Sequence, residues 1–381
     1  MHTVSRRKVI AALAALPIVS ACASRGTAVA NRHFTPSGLP LRRVNVAADR
    51  VIRTDVGLRP YRDAGFVLRT DRLDDKLLIH NYGHGGGGIT LSWGTAHMAM
   101  ETALASEHRR CAVIGCGAVG LASARLMQQQ GWQVTIYARD LPPDTTSNIA
   151  GAQWSPASVF DCNLVSPAFY DQLEHALQLS YRHFQPLVGE RYGVRWVSNY
   201  MLNDRPFRED DLHGRFAHLY PELRDLGTDE HPFPAAYARH FNTMFIEPPV
   251  YLPAVMRDFF AAGGEIVVRE FGTPAELSTL VEPVIFNCTG LGSRELFGDH
   301  ELIPAKGQLV VLLPEEGINY LMIYSGIYMF PRKDGVLLGG TFERNDWSLA
   351  PDTVAATRIV QEHQAFFSKM ADPFRDDGYP S

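Results

Sequence analysis

A Gly-x-Gly-x-x-Gly loop closes the stretch Cys111-Ala-Val-Ile-Gly-Cys-Gly-Ala-Val-Gly120. The apolar residues before the loop predict a buried strand, and the run from Leu121 to Gln130 predicts a helix that Gly131 ends. A second strand is predicted over Gln133-Val-Thr-Ile-Tyr137. Strand, glycine turn, helix and strand form the βαβ unit that holds a dinucleotide pyrophosphate on backbone N–H groups. The sequence therefore predicts an α/β protein with a Rossmann-like dinucleotide-binding domain.

The residues after the second strand bear on which dinucleotide is bound. In Tyr137-Ala-Arg-Asp140 the usual ribose-binding acid is displaced. We expect Asp140 to reach the ribose and Arg139 to lie along the phosphates, although an arginine here also suits a 2′-phosphate and leaves NADP open. The next segment, Asp144-Thr-Thr-Ser-Asn-Ile-Ala-Gly-Ala-Gln-Trp154, favours FAD, because NAD enzymes continue with a helix at this point. A helix N-cap followed by a small-residue packing face is the alternative interpretation.

A second glycine run lies upstream, in Asn81-Tyr-Gly-His-Gly-Gly-Gly-Gly-Ile-Thr-Leu-Ser-Trp-Gly94. It lies between an apolar strand-like run (residues 77–80) and a helix predicted from about Thr95. Glycines let the backbone approach a flat ligand, and the N–H groups that open the helix would face the ligand's electron-rich end. Two glycine loops, each between a strand and a helix, indicate one large cofactor held at both ends.

Composition sets mild limits on function. The chain has 381 residues, of which 46% are hydrophobic, so two domains with real cores are possible. The formal net charge of −5 argues against a polyanionic partner. We find no Cys-x-x-Cys and no His/Cys cluster with metal-ligand spacing, so no metal site is predicted.

The first residues have the features of a targeting signal. Arg6-Arg7 precedes an apolar run from Val9 to Val19, and small residues then lead to Cys22. This order resembles a twin-arginine signal joined to a bacterial lipobox, in which Cys22 would be lipidated. A buried or disordered N-terminal helix is the alternative. We therefore expect an exported, periplasmic or cell-envelope lipoprotein that contacts the membrane only through its anchor.

Many short motifs make the chain similar to the D-amino-acid oxidase family. The glycine-histidine run and Gly57-Leu-Arg-Pro-Tyr-Arg62 are specific to that family and its D-aspartate oxidase relatives. The resemblance extends over roughly residues 50 to 370 and implies an FAD domain packed on a substrate domain with a mixed sheet. The other matching segments are the Gly115 loop, Ala138-Arg-Asp-Leu-Pro142, Ala150-Gly-Ala-Gln-Trp154, Asn287-Cys-Thr-Gly290, Lys306-Gly-Gln308, Tyr328-Met-Phe-Pro331, Leu338-Gly-Gly-Thr341 and Trp347.

The order of these motifs differs from that of the family. The Gly-x-Gly-x-x-Gly strand starts the chain in the family, whereas here the Arg-Pro and Gly-His segments precede it. We interpret the chain as a natural circular permutant, with residues 98–105 as the family's C-terminal helix and 106–110 as a short joint. The new ends would lie between the helix predicted from Thr353 and the strand predicted at Arg53. A wrongly assembled gene is the alternative.

The resemblance also assigns roles at the reaction centre. Arg59 maps onto the family's carboxylate-binding arginine, whose planar guanidinium donates two parallel hydrogen bonds; Arg62 is interpreted as structural. Tyr328 maps onto a tyrosine that donates to the same carboxylate, and Tyr324 would close the pocket as a lid, with core packing as its alternative. The carbonyl of Gly86 would orient the substrate amine. We expect His84 to be a structural hydrogen-bonding residue rather than a base.

The expected reaction is oxidative deamination of a D-amino acid by O2 and water, giving a 2-oxo acid, ammonia and hydrogen peroxide. About ten residues separate Gly317 from Tyr328, so we expect a short lid. Residues 320–324 contain no arginine for a side-chain carboxylate, which favours neutral D-amino acids over D-aspartate. An exported flavin-binding lipoprotein without turnover is the alternative from another class. The sequence leaves open whether O2 or a quinone accepts the electrons, and it leaves open the oligomeric state.

FAD is expected to bind non-covalently, with hydroxyls on its phosphate and ribityl oxygens, small residues against its ring and Phe271 near its adenine. Cys116 has no evident base beside it and is interpreted as a packing residue of the loop. The predicted cofactor-binding residues are Gly85, Gly86, Gly87, Gly88, Ile89, Thr90, Gly115, Cys116, Gly117, Val119, Gly120, Arg139, Asp140, Thr145, Thr146, Ser147, Gly151, Ala152, Gln153, Phe271 and Thr289.

These interpretations divide the chain into discontinuous domains. Residues 1–21 are the predicted signal peptide and 22–45 a flexible tether. The FAD-binding domain is predicted to comprise 74–157 and 243–299. The substrate domain is predicted to comprise 46–73, 158–242 and 300–381.

Overall fold

The computed structural model describes residues 40–151 and 153–372. Within these ranges the strands are β1 Val51–Tyr61, β2 Val67–Leu73, β3 Lys76–Tyr82, β4 Arg110–Ile114, β5 Gln133–Ala138, β6 Val194–Asn203, β7 Arg224–Leu226, β8 Tyr237–Ile246, β9 Glu265–Val268, β10 Val284–Asn287, β11 Ile303–Leu312, β12 Tyr320–Tyr324, β13 Ile327–Arg332, β14 Gly335–Gly339 and β15 Glu343–Arg344. The α-helices are α1 Gly88–Leu104, α2 Ala118–Gln129, α3 Thr146–Ile149, α4 Pro167–Phe184, α5 Leu212–Arg215, α6 Pro248–Ala261, α7 Pro274–Ser278, α8 Gly292–Phe297 and α9 Thr353–Phe367.

A six-stranded sheet, counted over the described residues, holds the predicted βαβ unit in the order β2-β3-β10-β4-β5-β9. All its neighbours are parallel except the hairpin of β2 and β3. Strand β4 is almost wholly apolar and is buried between helices on its two faces. Because β3, β10 and β4 are parallel, their carboxyl ends meet at one edge, where both glycine loops begin. The Rossmann-like prediction is confirmed.

The second sheet is mixed, as predicted, and has the order β1-β11-β14-β13-β12-β6-β8-β7, with β15 paired to β11. Its only parallel neighbours among the described strands are β12 and β6. One face packs on α9, whose N-terminus is capped by the Asp352 carboxylate accepting from the Val354 amide at 2.8 Å. We call this the α9 face. The opposite face meets the loop at residues 149–151, and we call it the flavin face.

Two predicted domain boundaries are wrong in detail. Strand β2, assigned to the substrate domain, pairs along its whole length with β3 in the six-stranded sheet. The end of β8, residues 243–246, was assigned to the FAD domain but pairs with β6 in the mixed sheet. Both errors arise because a boundary inferred from motifs cannot locate the strand pairing that defines a sheet.

The start of α1 also differs from its prediction. The helix begins at Gly88 rather than near Thr95, since its first turns are buried against the sheet and packing outweighs the low helix propensity of glycine. It ends at Leu104, and β4 begins at Arg110, so residues 105–109 form a short connection close to the predicted 106–110. None of the helices in the described residues is long and apolar enough to cross a membrane.

The last residues of the predicted tether are packed rather than flexible. Leu41 and Val44 are buried in the apolar cluster on the α9 face. The hydroxyl of Tyr320 donates to the carbonyl of Arg42 at 3.0 Å. The tether prediction is therefore wrong for residues 40–45. Cys22 and the predicted signal lie outside the described residues.

Candidate functional site

The Gly-x-Gly-x-x-Gly loop adopts the conformation that a pyrophosphate cradle requires. Gly115 has φ +110°, and a methyl group on it would lie 2.4 Å from the Cys288 carbonyl oxygen. The amide of Ala118, at the start of α2, donates to the Ser147 hydroxyl at 3.0 Å. Cys116 is buried, and burial raises the pKa of its thiol to about 12. The thiol is therefore protonated at neutral pH, as its packing role requires.

Other hydroxyl side chains that are predicted to bind the cofactor also lie at this edge of the sheet. The Thr289 hydroxyl donates to the Asn287 side chain at 2.8 Å, at the carboxyl end of β10. Thr145 precedes α3 and donates to the Asn148 side chain at 2.8 Å. Phe271 packs edge-on to Tyr137, with ring centroids 5.8 Å apart.

Arg139 lies at the carboxyl end of β5 and is exposed to solvent. Its guanidinium is 2.8 Å from an Asp140 carboxylate oxygen and 3.1 Å from one of Glu270. Hydrogen bonds to both carboxylates raise its pKa. Two acidic neighbours leave little positive charge for a 2′-phosphate, so the surroundings of Arg139 disfavour NADP.

The second glycine run packs against the segment that follows Gly151. The Gly86 amide donates to the Ser158 carbonyl at 2.9 Å, and the Thr90 hydroxyl donates to the Ser155 carbonyl at 3.0 Å. Gln153 donates to the Asn199 side chain at 2.9 Å. The two segments predicted to touch the flavin ring are therefore adjacent. Ala152 lies outside the described residues.

His84 belongs to this run but is enclosed by protein. Its Nε2 is 3.0 Å from the Thr95 hydroxyl, and its ring stacks on Phe66. Burial lowers its pKa to about 3. Such an imidazole is a weak base, and its contacts fit the structural role.

Arg59 lies on β1, and its side chain projects from the flavin face of the sheet. Its guanidinium lies flat on Gly307, where a methyl group would be 2.2 Å from Nη1. Nη1 donates to the Thr341 carbonyl at 3.3 Å, and the Phe342 ring centroid is 5.7 Å away. No acidic side chain of residues 40–151 or 153–372 pairs with it.

Arg62, three residues later, is bound differently. Its Nε is 3.0 Å from an Asp299 carboxylate oxygen, and its Nη2 pairs with Glu301. The Tyr82 hydroxyl donates to the same Asp299 at 2.8 Å. Arg62 is therefore committed to ion pairs, as its structural interpretation requires.

Tyr328 lies on β13 beside Arg59, although the two are far apart in sequence. Its ring lies against Gly339, the last residue of the neighbouring strand, and against Gly340 after it. Burial raises the pKa of the phenol, while the adjacent Arg59 guanidinium lowers it. A methyl group on Gly151 would lie 2.8 Å from Phe330 and 3.9 Å from Tyr328. The structure thus brings a cation and a phenol to the loop predicted to touch the flavin.

Tyr324 is not part of this group, which corrects the lid prediction. Tyr324 pairs with Ile327 across a turn formed by Ser325 and Gly326, so its ring emerges on the α9 face. There it lies 5.1 Å from the Phe366 ring, and its hydroxyl donates to the Asp204 carboxylate at 2.8 Å. The segment predicted to form a short lid is a tight hairpin, and the structure places Tyr324 away from the reaction centre.

Three residues near the site carry no predicted role. Gly307 supports the Arg59 guanidinium, Phe342 stacks on it, and Arg332 donates to the Ala150 carbonyl at 3.4 Å. The sequence signal for Gly307 is a glycine inside a continuous strand pattern, which often marks a close approach. Phe342 and Arg332 carry no such signal.

The glycine cradle, the partly buried segment at residues 145–151 and the adjacent Arg59 and Tyr328 define a flavin-dependent oxidoreductase site. The chain belongs to the DAO family of FAD-dependent oxidoreductases, whose family model matches residues 110–377. It is 31% identical over 279 residues to a D-amino-acid oxidase of Streptomyces coelicolor, covering 71% of this chain and 82% of the relative. It is 28% identical over 263 residues to a human D-aspartate oxidase, covering 66% and 74%. A glycine oxidase from Geobacillus kaustophilus shares the fold, with a TM-score of 0.53, 16% identity and coverage of 69% and 80%.

Proposed function

We propose that this protein catalyses FAD-dependent oxidative deamination of D-amino acids to 2-oxo acids, ammonia and hydrogen peroxide. The observation that carries the proposal is the Arg59 guanidinium, free of any described carboxylate and adjacent to Tyr328. A carrier protein has no use for such a pair, because its flavin needs no carboxylate beside it. FAD, when bound, supplies the hydride acceptor and passes two electrons to O2.

The protein's own groups bind and orient the substrate. Arg59 donates two parallel hydrogen bonds to the substrate carboxylate, and the Tyr328 hydroxyl donates a third. The Gly86 carbonyl would accept from the neutral amine and so orient the substrate Cα–H bond. No acid–base side chain is required. Orientation of this kind supplies about 7–11 kcal/mol of the acceleration in well-aligned systems.

A second set of residues would hold FAD. The Gly115–Gly120 loop and Ser147 would bind the pyrophosphate end, with Thr289 beside them at the end of β10. The N–H groups from Gly85 to Thr90, at the positive end of α1, would stabilise negative charge on the flavin ring. Gly151 would bring its backbone against the ring, since its missing side chain leaves room for Phe330. Asp140 would reach the ribose, Arg139 the phosphates and Phe271 the adenine.

An anaerobic titration tests the activity directly. D-Alanine added to the FAD-loaded protein should bleach the flavin's visible absorbance, and admitted air should restore it with one hydrogen peroxide per turnover. An unchanged spectrum would favour the flavin-binding lipoprotein without turnover. Bleaching with little peroxide would instead indicate a quinone acceptor.

The substrate class is proposed to be neutral D-amino acids. Residues 320–324 carry no arginine, and the Arg344 guanidinium near Phe342 is already paired with Asp63 at 2.8 Å. The described guanidinium of Arg344 is thus already neutralised, which disfavours a substrate with a side-chain carboxylate. Comparing kcat/KM for D-alanine, D-methionine and D-aspartate tests the point, and a preference for D-aspartate would contradict it.

Circular permutation is part of the proposal. It is supported by the match of the family model from residue 110, the start of β4, while Arg59 and the second glycine run lie upstream. A permutant also needs adjacent new ends. Arg43 donates to the Met370 carbonyl at 3.4 Å, which meets that need.

A relinked chain tests the permutation. Residues 110–372 would be joined to 43–105 by a short linker, which restores the family's motif order. We expect this chain to bind FAD and oxidise D-alanine at the rate of the natural order. A relinked chain that folds without FAD would contradict the permutation.

Export as a lipoprotein is also proposed, from Arg6-Arg7, the apolar run and Cys22. The full-length protein should partition into a membrane fraction, and mass spectrometry should find Cys22 as a lipidated first residue. The Cys22→Ala variant should remain soluble or unprocessed. A wild-type chain that keeps residues 1–21 would contradict this.

A further inference from the structure

A buried histidine lies directly behind the reaction-centre tyrosine. His363 is on α9 and has 0% of its surface exposed. Its Nε2 is 3.1 Å from the backbone carbonyl oxygen of Tyr328. Its Nδ1 is 2.7 Å from the carbonyl oxygen of Ile359, one helical turn earlier. The imidazole therefore spans from its own helix to the strand that carries the phenol.

The Tyr328 carbonyl lies where the sheet ends on one side. Tyr328 is opposite Gly339, which is the last residue of β14 and the end of that ladder. A carbonyl oxygen has two lone pairs, so the Tyr328 carbonyl can accept from outside the sheet as well as within it. An imidazole N–H from α9 would supply that second hydrogen bond.

The chemistry of the ring limits what His363 can do. Carbonyl oxygens only accept, and a neutral imidazole carries a single N–H. Burial lowers the pKa of His363, and the carbonyl contacts and Glu362 oppose that shift. The two carbonyls thus compete for one proton near neutral pH. A proton on Nε2 ties the helix to the strand, whereas a proton on Nδ1 bonds only within the helix.

We propose that His363 carries its proton on Nε2 and is a positioning residue for Tyr328, whose backbone carbonyl accepts the Nε2–H bond that holds the phenol beside Arg59. The proposal rests on the proposed function, since the phenol's position matters only if the pair binds a carboxylate. The Tyr328 ring has little freedom, because a methyl group on Gly339 would lie 2.0 Å from it. A small shift of the β13 backbone therefore moves the hydroxyl relative to the guanidinium.

The test compares His363→Gln with His363→Asn in the FAD-loaded full chain. The glutamine amide reaches the Nε2 position and can donate to Tyr328, whereas the shorter asparagine reaches only the Nδ1 position. The readouts are Kd for benzoate, from the perturbed flavin spectrum, and kcat/KM for D-alanine. We expect asparagine to weaken benzoate binding about tenfold, the value of one lost hydrogen bond, and glutamine to stay near wild type.

A second comparison in a Tyr328→Phe background separates positioning from a general packing defect. With the hydroxyl gone, asparagine and glutamine at 363 should bind benzoate equally. Ile359→Val, a packing change on the same helix, should lower Tm without changing Kd. Equal binding by the two variants with Tyr328 present, or an undiminished difference with phenylalanine, overturns the inference alone. A wild-type protein that neither binds benzoate nor oxidises D-alanine overturns the proposed function and this inference together.

Discussion

The two faces of the mixed sheet are built from the same strands but have opposite character. The flavin face carries Arg59 and Tyr328 over glycines, with polar groups left for a ligand. The α9 face carries a closed apolar cluster that includes Leu41 and Ile359. Both faces contain buried apolar side chains, but only the flavin face combines them with a cation and a phenol that lie beside the loop at residue 151. Changes on the flavin face should therefore alter kinetics, and changes on the α9 face should alter stability.

The largest effect is expected from Arg59→Leu. Removal of one partner of an enclosed charge pair costs about 2–5 kcal/mol, so kcat/KM for D-alanine should fall by roughly a thousandfold. FAD content should not change, because Arg59 does not lie in the glycine cradle. Stopped-flow reduction of the flavin measures the loss.

Arg62→Leu is the matched control for that variant. It leaves Asp299 and Glu301 without their cation, so we expect a lower Tm with kcat/KM near wild type. If Arg62→Leu abolished turnover and Arg59→Leu did not, the two assignments would have to be exchanged.

Gly307→Ala should have the next largest effect. The added methyl would lie 2.2 Å from Arg59 Nη1, at the end of a flexible side chain that can move away at small cost in stability. Displacing a substrate-binding group by about 1 Å can cost on the order of a hundredfold in rate. Steady-state kinetics with D-alanine, alongside an unchanged Tm, would reveal this displacement.

Gly272→Ala provides the control for that change. Its methyl would meet only the flexible Glu276 side chain at 3.3 Å, away from Arg59. Activity should be unaffected there. Equal activity losses at 272 and 307 would show that the effect is not specific to the guanidinium.

The sequence predicts where the strands and helices lie better than it predicts which face of a sheet each side chain joins. The apolar runs at residues 111–114 and 284–288 are found because buried parallel strands leave a continuous apolar pattern. Tyr324 and Tyr328, four apart, would share a face in one continuous strand. The turn at Ser325 and Gly326 reverses the chain, so Tyr324 aligns with Ile327 and faces the other way. Turn geometry of this kind is not visible in residue spacing.

The pH dependence of stability provides a test of the α9 face. Burial lowers the pKa of His363 in the folded state, so the unfolded chain takes up a proton more readily. Stability is therefore greatest above the unfolded pKa of about 6.5 and falls as pH drops, by at most about 1.4 kcal/mol per unit for this residue. The negative charge of Glu362 raises the pKa of His363 and so offsets part of the loss.

His363→Gln removes that titration and keeps the polar contact. Its free energy of unfolding, measured with urea between pH 7 and 5, should fall less steeply than that of wild type. His84 titrates in the same direction in both proteins and so does not affect the difference. Parallel pH profiles would show that His363 does not stay neutral in the fold.

The smallest effect is expected from Tyr324→Phe, which removes a hydroxyl on the α9 face that donates to Asp204 at a partly exposed site. Exposed polar contacts contribute little, so kcat/KM should remain within about twofold of wild type. Tyr328→Phe removes the corresponding group from the flavin face and should cost about tenfold, mainly in KM, since one donor to the carboxylate is lost. Each variant removes one oxygen atom, from the α9 face or from the flavin face. Measuring both with D-alanine therefore compares the contribution of the two faces to activity. Equal losses would mean that the 324–327 hairpin turns toward the flavin during catalysis, and the lid interpretation would then be restored.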